Sequence, residues 1–149
     1  MARIIDSFIG SYDFLSNFYT APTMFDGTLY PTSEHAYQAA KSVDANERIK
    51  VLNAVSAGAA KKIGRTLTMR PDWNDVKFKI MTSIVLDKFK RNPVLGKKLI
   101  ATGNSTLIES NKWCDQIWGN CLCHKHKHIQ GWNWLGKVLM NVREQLQEV

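Results

Sequence analysis

Cysteine is scarce in this 149-residue chain: Cys114, Cys121 and Cys123 are the only three. An odd, clustered set builds no disulfide framework, so a reducing, cytoplasmic setting is the expectation. Long apolar runs are missing too. The longest apolar-leaning stretch, Ile80 to Leu86, falls far short of the roughly 20 residues that a spanning helix needs. That excludes a helical membrane protein. At the N-terminus Asp6 interrupts the chain before a signal-peptide core can form. No repeat, low-complexity tract or Pro/Gly/Ser linker divides the sequence, so one domain over residues 1–149 is expected. Phosphate-loop and dinucleotide fingerprints are absent, because Gly58 and Gly64 are too far apart and follow no strand. Nor is there a Ser-His-Asp order that supports nucleophilic catalysis.

What is present is a folded chain with an uneven charge. Hydrophobic residues make up 44% and charged residues 22%, too apolar for disorder. The net charge is +7, and between Lys41 and Lys98 fourteen Lys/Arg face only five Asp/Glu. A segment that basic favours a polyanionic partner, nucleic acid or a phosphorylated small molecule, although a solvated lysine face has the same composition.

The patterning implies a mainly helical domain with a small N-terminal β element. The first thirty residues read as strands and loops, with Asp26-Gly27 suited to a two-residue hairpin turn. Thr32 or Ser33 can cap a helix to about Ser42. Further helices are expected over Asn46–Val55 and Ala57–Ile63, the latter closed by Gly64 as a C-terminal glycine. Between Asp72 and Arg91, Trp73, Val76, Ile80, Met81, Ile84, Val85 and Phe89 recur at helical spacing. Asn92-Pro93 starts a short helix that Gly103 ends, Thr106–Glu109 suits a brief strand, and Asn133 caps a helix from Trp134 to Gln147.

Four constellations can carry chemistry. Glu34, Gln38 and Lys41 are spaced i, i+4, i+7 and share one stripe of a helix, with small residues on its other sides. A carboxylate, an amide and an amine in line suit acid/base or covalent work; an exposed Glu–Lys face would have the same spacing. Next, Trp113, Asp115, Trp118 and Gly119 lie in a loop, and four of the five tryptophans fall between Trp113 and Trp134. Such a loop can stack a flat ring, or can simply be packed on its own tryptophans. The arginines Arg65, Arg70 and Arg143 match phosphate oxygens, or form structural ion pairs.

The last is Cys121-Leu122-Cys123-His124-Lys125-His126-Lys127-His128. In an extended segment the histidines would point one way and the cysteines the other. Zinc sites draw ligands from two separate segments. Only one is in view, and its lysines repel a cation. The expectation is therefore no physiological metal.

Read together, the segments resemble the NADAR family, also called YbiA-like. The matching stretches are residues 12–18, Asp26 through Pro31-Thr32-Ser33-Glu34-His35-Ala36-Tyr37-Gln38-Ala39-Ala40-Lys41, Ala60–Arg65 and Arg70–Trp73. The match continues through Met81 to Phe89, Leu99–Gly103, Trp118-Gly119 and Asn133–Arg143. The departure is residues 121–130, where the family usually carries a shorter glycine-rich loop. The resemblance implies an α+β fold and an N-glycosidase that cleaves between a ribosyl phosphate and a base-like nitrogen. It also implies a Schiff base between a lysine of the helix motif, here Lys41, and C1 of the sugar. Some relatives hydrolyse phosphoribosylamino pyrimidine intermediates of riboflavin synthesis; others resemble enzymes that remove ADP-ribose from guanine in nucleic acid.

Departure of the base builds positive charge on C1, so a nearby carboxylate lowers the barrier. Glu34 is the first candidate and Asp115 the second, with Lys41 as the amine. Trp113 and Trp118 beside Gly119 are candidates to stack the base, and Arg65, Arg70 and Arg143 to hold phosphates. Asn17 and Asn133 are candidates for ribose hydroxyls, and Tyr37 and Gln38 complete the substrate-binding set. No metal or redox cofactor is implied. The favoured substrate is ADP-ribosyl-guanine in nucleic acid, with riboflavin intermediates as the alternative. A non-enzymatic ADP-ribose or nucleotide sensor would keep the arginines and tryptophans without needing Glu34 and Lys41.

Overall fold

The computed structural model describes residues 3–148. In chain order the elements are β1 (Ile4–Ile5), a 3-10 helix (Gly10–Leu15), β2 (Thr20–Phe25), β3 (Thr28–Thr32), α1 (Ser33–Ala40), α2 (Ala45–Leu52), α3 (Ala57–Gly64) and α4 (Trp73–Arg91). They continue with α5 (Pro93–Ala101), β4 (Thr106–Leu107), β5 (Ser110–Asn111), β6 (Asn120–Cys121) and α6 (Trp134–Gln147). This is the α+β, mainly helical architecture that the patterning implies. The chain groups into two compact units, Asn17–Pro93 and the remainder on either side of it.

The central unit, Asn17–Pro93, begins with an antiparallel hairpin in which Phe25 pairs with Thr28 and Met24 with Leu29. Asp26 and Gly27 both take positive φ, 48° and 81°, the conformation a tight hairpin turn demands and these two residue types tolerate. Thr32 ends β3 and turns the chain into α1, its hydroxyl accepting from the His35 amide at 3.0 Å. Such a cap is worth about 1 kcal/mol. The helix stops at Ala40, short of the expected Ser42, and the Lys41 amide donates to the Gln38 carbonyl in a tightened last turn.

Every residue of α1 is buried. Its neighbours are β2, β3, α2, α3 and α4, and Ala36, Ala39 and Ala40 let those backbones approach. Gly64 serves the same end and not the one expected of it. It lies inside α3, with Arg65 at the C-cap in ordinary right-handed geometry, and a Cβ there would run into the Gln38 side chain. The requirement for glycine is close approach, not positive φ. The helices α2 and α3 are capped by Asp44 and Ser56, and α2 ends at Leu52 instead of Val55. The long α4 buries Trp73, Met81, Ile84, Val85 and Phe89.

In the other unit, the stretch expected to be strand and loop includes the 3-10 helix, which buries Phe14 and Leu15. Here β1 pairs in parallel with β4 and β5 with β6. Gly103, at φ 66°, follows α5 as expected. The final helix α6 buries Leu135, Val138, Leu139 and Val142. Its Gly136 sits under the Leu107 carbonyl, where a Cβ would clash. Among the described residues no helix is long and apolar enough to cross a membrane.

Candidate active site

The stripe on α1 is real, but it is not a solvated face. Glu34 is 7% exposed and Gln38 3%. Gln38 Nε2 donates to Glu34 Oε1 at 2.9 Å, and Gln38 Oε1, turned toward Gly64, is buried without a hydrogen-bond partner. The Glu34 amide donates to the Asn17 carbonyl, while Asn17 Oδ1 accepts from the Ser33 hydroxyl and its Nδ2 approaches Met81 Sδ.

Lys41 closes the stripe, half-buried at the end of α1. Its Nζ lies 5.7 Å from the centre of the Tyr37 ring, which itself packs against Trp73 with centroids 5.2 Å apart. Burial pulls the Lys41 amine below its usual pKa, the Glu34 charge acts against that, and Lys61, Arg65 and Lys77 push it further down. An amine so placed reaches its neutral, nucleophilic form at lower pH than a surface lysine does. His35, inside the same motif, is structural: its ring bonds the Thr32 hydroxyl at 2.7 Å and the Ala54 carbonyl at 3.1 Å.

The arginines divide. Arg65 is exposed at the end of α3. Arg70 gives its Nε and Nη2 to the Asp72 carboxylate at 2.6 and 3.1 Å, and Asp72 therefore makes no side-chain cap to α4. The sequence missed Lys88, fully buried on α4 with its ammonium over the Phe89 and Tyr19 rings.

The remaining predicted residues belong to the other unit. Asp115 Oδ1 accepts from the Ile117 and Trp118 amides, and Asn111 bonds both the amide and the carbonyl of Asp115. Asp115 thus pins the tryptophan loop. Gly119 is buried where a Cβ would strike the Glu109 carboxylate and carbonyl. Trp118 is half-buried, and Trp113 is 59% exposed. Asn133, expected to cap α6, has φ 52° and makes no side-chain cap. Instead its Oδ1 accepts from the Glu109 amide and its Nδ2 donates to the Leu107 carbonyl. Arg143 is buried and bonds Thr102 Oγ1 at 2.9 Å. The same unit holds an open cavity of about 800 Å³ lined in part by Asn120, His128, Trp132 and Lys137; no residue of the α1 stripe lines it.

The sequence of residues 7–147 matches the family model of the NADAR domain. The chain belongs to the NADAR family. Its similarity to the N-glycosidase YbiA of Escherichia coli is 35% identity over 137 residues, covering 91% of this chain and 82% of that protein. The NMR structure of E. coli YbiA superposes with a TM-score of 0.83 over 99% of this chain and 88% of the other, at 33% identity. The riboflavin biosynthesis protein VVA0006 of Vibrio vulnificus is 40% identical over 141 residues, 93% of this chain. This chain spans about a third (36%) of that longer protein's length. NADAR membership places the chain among N-glycosidases, hydrolases acting on N-glycosyl bonds. The match takes in the whole of Asn17–Pro93 and most of the other unit.

Proposed function

We propose that this NADAR domain cleaves the bond between C1 of a phosphate-bearing ribosyl group and a base nitrogen, with Glu34 and Lys41 as its catalytic residues. The observation that carries the reading is the buried α1 stripe. It presents a carboxylate held by Gln38 and, at its open end, an amine depressed in pKa by burial and by cations. As the base leaves, C1 and the ring oxygen become cationic, and the Glu34 charge stabilises them. The neutral Lys41 amine forms a bond to C1 as the C1–N bond to the base breaks, and the base departs with a proton. Opening of the ring gives an iminium between Lys41 and C1. Water adds to that carbon, and the sugar is released as the amine is regenerated. Arg65 and Lys61, whose charges reach Lys41, supply a cationic setting for phosphate.

For the substrate we favour ADP-ribose carried on guanine in nucleic acid. The basic Lys41–Lys98 segment and the exposed rings of Trp113 and Trp132 suit a polyanion bearing flat bases. A second reading, hydrolysis of phosphoribosylamino intermediates of riboflavin synthesis, is favoured by the name of the Vibrio vulnificus relative. A glycosidase assay offering ADP-ribosylated DNA oligonucleotides beside the riboflavin intermediates tests both. Release of ADP-ribose from the oligonucleotide supports the first reading. Turnover of the intermediates alone supports the second, and turnover of neither removes both.

A further inference from the structure

The residues from Lys112 to Gly131 contain one two-residue strand as their only regular element, yet the segment has a centre. Cys114, Cys121, Cys123 and His126 bring one ligand atom each to a single point, all within 4.8 Å of one another. Two features of the chain bring this about, and each corrects an expectation from the sequence. The segment after Cys123 is not extended. It turns, with the His126 and Lys127 amides both donating to the Cys123 carbonyl at 3.0 and 2.9 Å, so that His126 swings back to the cysteines and its Nδ1 lies 3.1 Å from Cys123 Sγ. A second segment also exists: Cys114, from the tryptophan loop, takes φ 69° and points its thiol at Cys123.

We propose that Cys114, Cys121, Cys123 and His126 form a structural zinc site that organises the tryptophan loop of this protein. Three thiolates and an imidazole are a donor set of structural zinc, closed to substrate because all four positions come from the protein. The spacing fits the ion. Two sulfurs, each about 2.3 Å from a tetrahedral zinc, lie ~3.8 Å apart, and Cys114 Sγ and Cys123 Sγ are separated by 3.7 Å. Cys121 Sγ accepts from the Cys114 and Cys123 amides at 3.2 and 3.4 Å, the outer-sphere support that ligating sulfur usually receives. On binding, the three thiols release their protons to solvent and three S–Zn bonds and one N–Zn bond form, with no redox change. Lys125, between Cys123 and His126, and Lys127, just after His126, do not oppose this, since both are exposed.

The consequence is positional. Cys114 directly follows Trp113, and Cys121 is held by Gln116, whose Oε1 accepts from the Cys121 amide while its Nε2 bonds the Ile129 carbonyl. The ion would thus fix both ends of the loop that carries Trp113 and Trp118.

The test is metal content and cobalt spectroscopy of the full chain, purified under reducing conditions. One zinc per chain by elemental analysis is expected, replaceable by one cobalt that shows thiolate-to-metal charge transfer and tetrahedral visible bands. His124→Ala with His128→Ala should retain that stoichiometry. Cys121→Ser and His126→Ala should lower it or change the cobalt spectrum, and chelation of wild type should lower the midpoint of thermal unfolding. Three results would overturn the site: no stoichiometric metal after reconstitution, a Cys114–Cys123 disulfide in the reduced-purified protein, or metal lost with His124 and His128 while Cys121→Ser keeps it. The last would mark adventitious binding by surface histidines.

Discussion

Gln38 donates its amide to Glu34 Oε1 at 2.9 Å while its own carbonyl oxygen, buried, bonds nothing. The amide cannot turn over without setting that oxygen against the carboxylate, so the pair has one orientation. An acceptor left unpaired in the interior costs on the order of 1–3 kcal/mol. On the proposed reading Gln38, first expected among the substrate-binding residues, instead positions Glu34 through this hydrogen bond. Glu34→Gln should keep the fold by circular dichroism and lose more than about 100-fold in kcat, the scale for removing one electrostatic stabiliser. Gln38→Leu removes the unpaired oxygen but also the donor to the buried Glu34 carboxylate, and should lower kcat more than it raises KM. Activity of Glu34→Gln within a few fold of wild type would move the role elsewhere, with Asp115 already committed to its loop amides.

Gly64 tests the same pair from behind. A methyl group at this position meets Gln38 Oε1, Cδ and Cβ, and Gln38 cannot yield without leaving Glu34. Gly64→Ala should destabilise by about 1–3 kcal/mol, the usual cost of overpacking, and should also reduce kcat. Denaturant titration and steady-state kinetics together check this. Wild-type kcat in a measurably destabilised Gly64→Ala protein would uncouple Gln38 from catalysis.

The pH profile follows from Lys41. Its amine is held below the ordinary lysine value, by burial first and then by Lys61, Arg65 and Lys77 against the opposing pull of Glu34. The neutral fraction grows as pH rises, so kcat should increase through this lowered pKa and level off below the ~10.4 of free lysine. Lys61→Ala or Lys77→Ala removes a repelling charge and should move the rise to higher pH. For stability, the folded chain binds fewer protons than the unfolded one between the two pKa values. Lys41 therefore opposes folding below its lowered pKa, and this opposition fades as pH approaches the unfolded value. A profile unmoved by both substitutions would contradict the assignment of the limb to Lys41.

Much of this was legible before the fold was known. Local signals gave the Asp26-Gly27 turn, the Thr32 cap and the apolar faces of α4 and α6, because turn chemistry and helical periodicity act over a few residues. The Glu34–Gln38–Lys41 stripe was equally plain, but its burial was not. Spacing is the same for an exposed face, and only the packing of Ala36, Ala39, Ala40 and Gly64 makes this one internal. Long-range features left no local trace. The parallel pairing of Ile4–Ile5 with Thr106–Leu107 rests on two residues per strand. Asn133 signals a cap by residue type, yet its amide ties Glu109 and Leu107 together across the chain. The cysteine cluster left no local trace, because the chain turns after Cys123 instead of alternating, and because Cys114 stands seven residues before Cys121, outside the run that holds the other ligands.

The central claim is that Lys41 bonds to the sugar carbon. Borohydride added during turnover, on whichever ribosyl substrate the assay accepts, should reduce the iminium and leave a ribosyl-phosphate adduct visible by intact mass. Digestion should place the adduct on Lys41, and Lys41→Arg, always protonated, should show neither adduct nor appreciable turnover. Robust turnover in Lys41→Arg with no trapped adduct in wild type would contradict the covalent account and leave Lys41 as a binding residue.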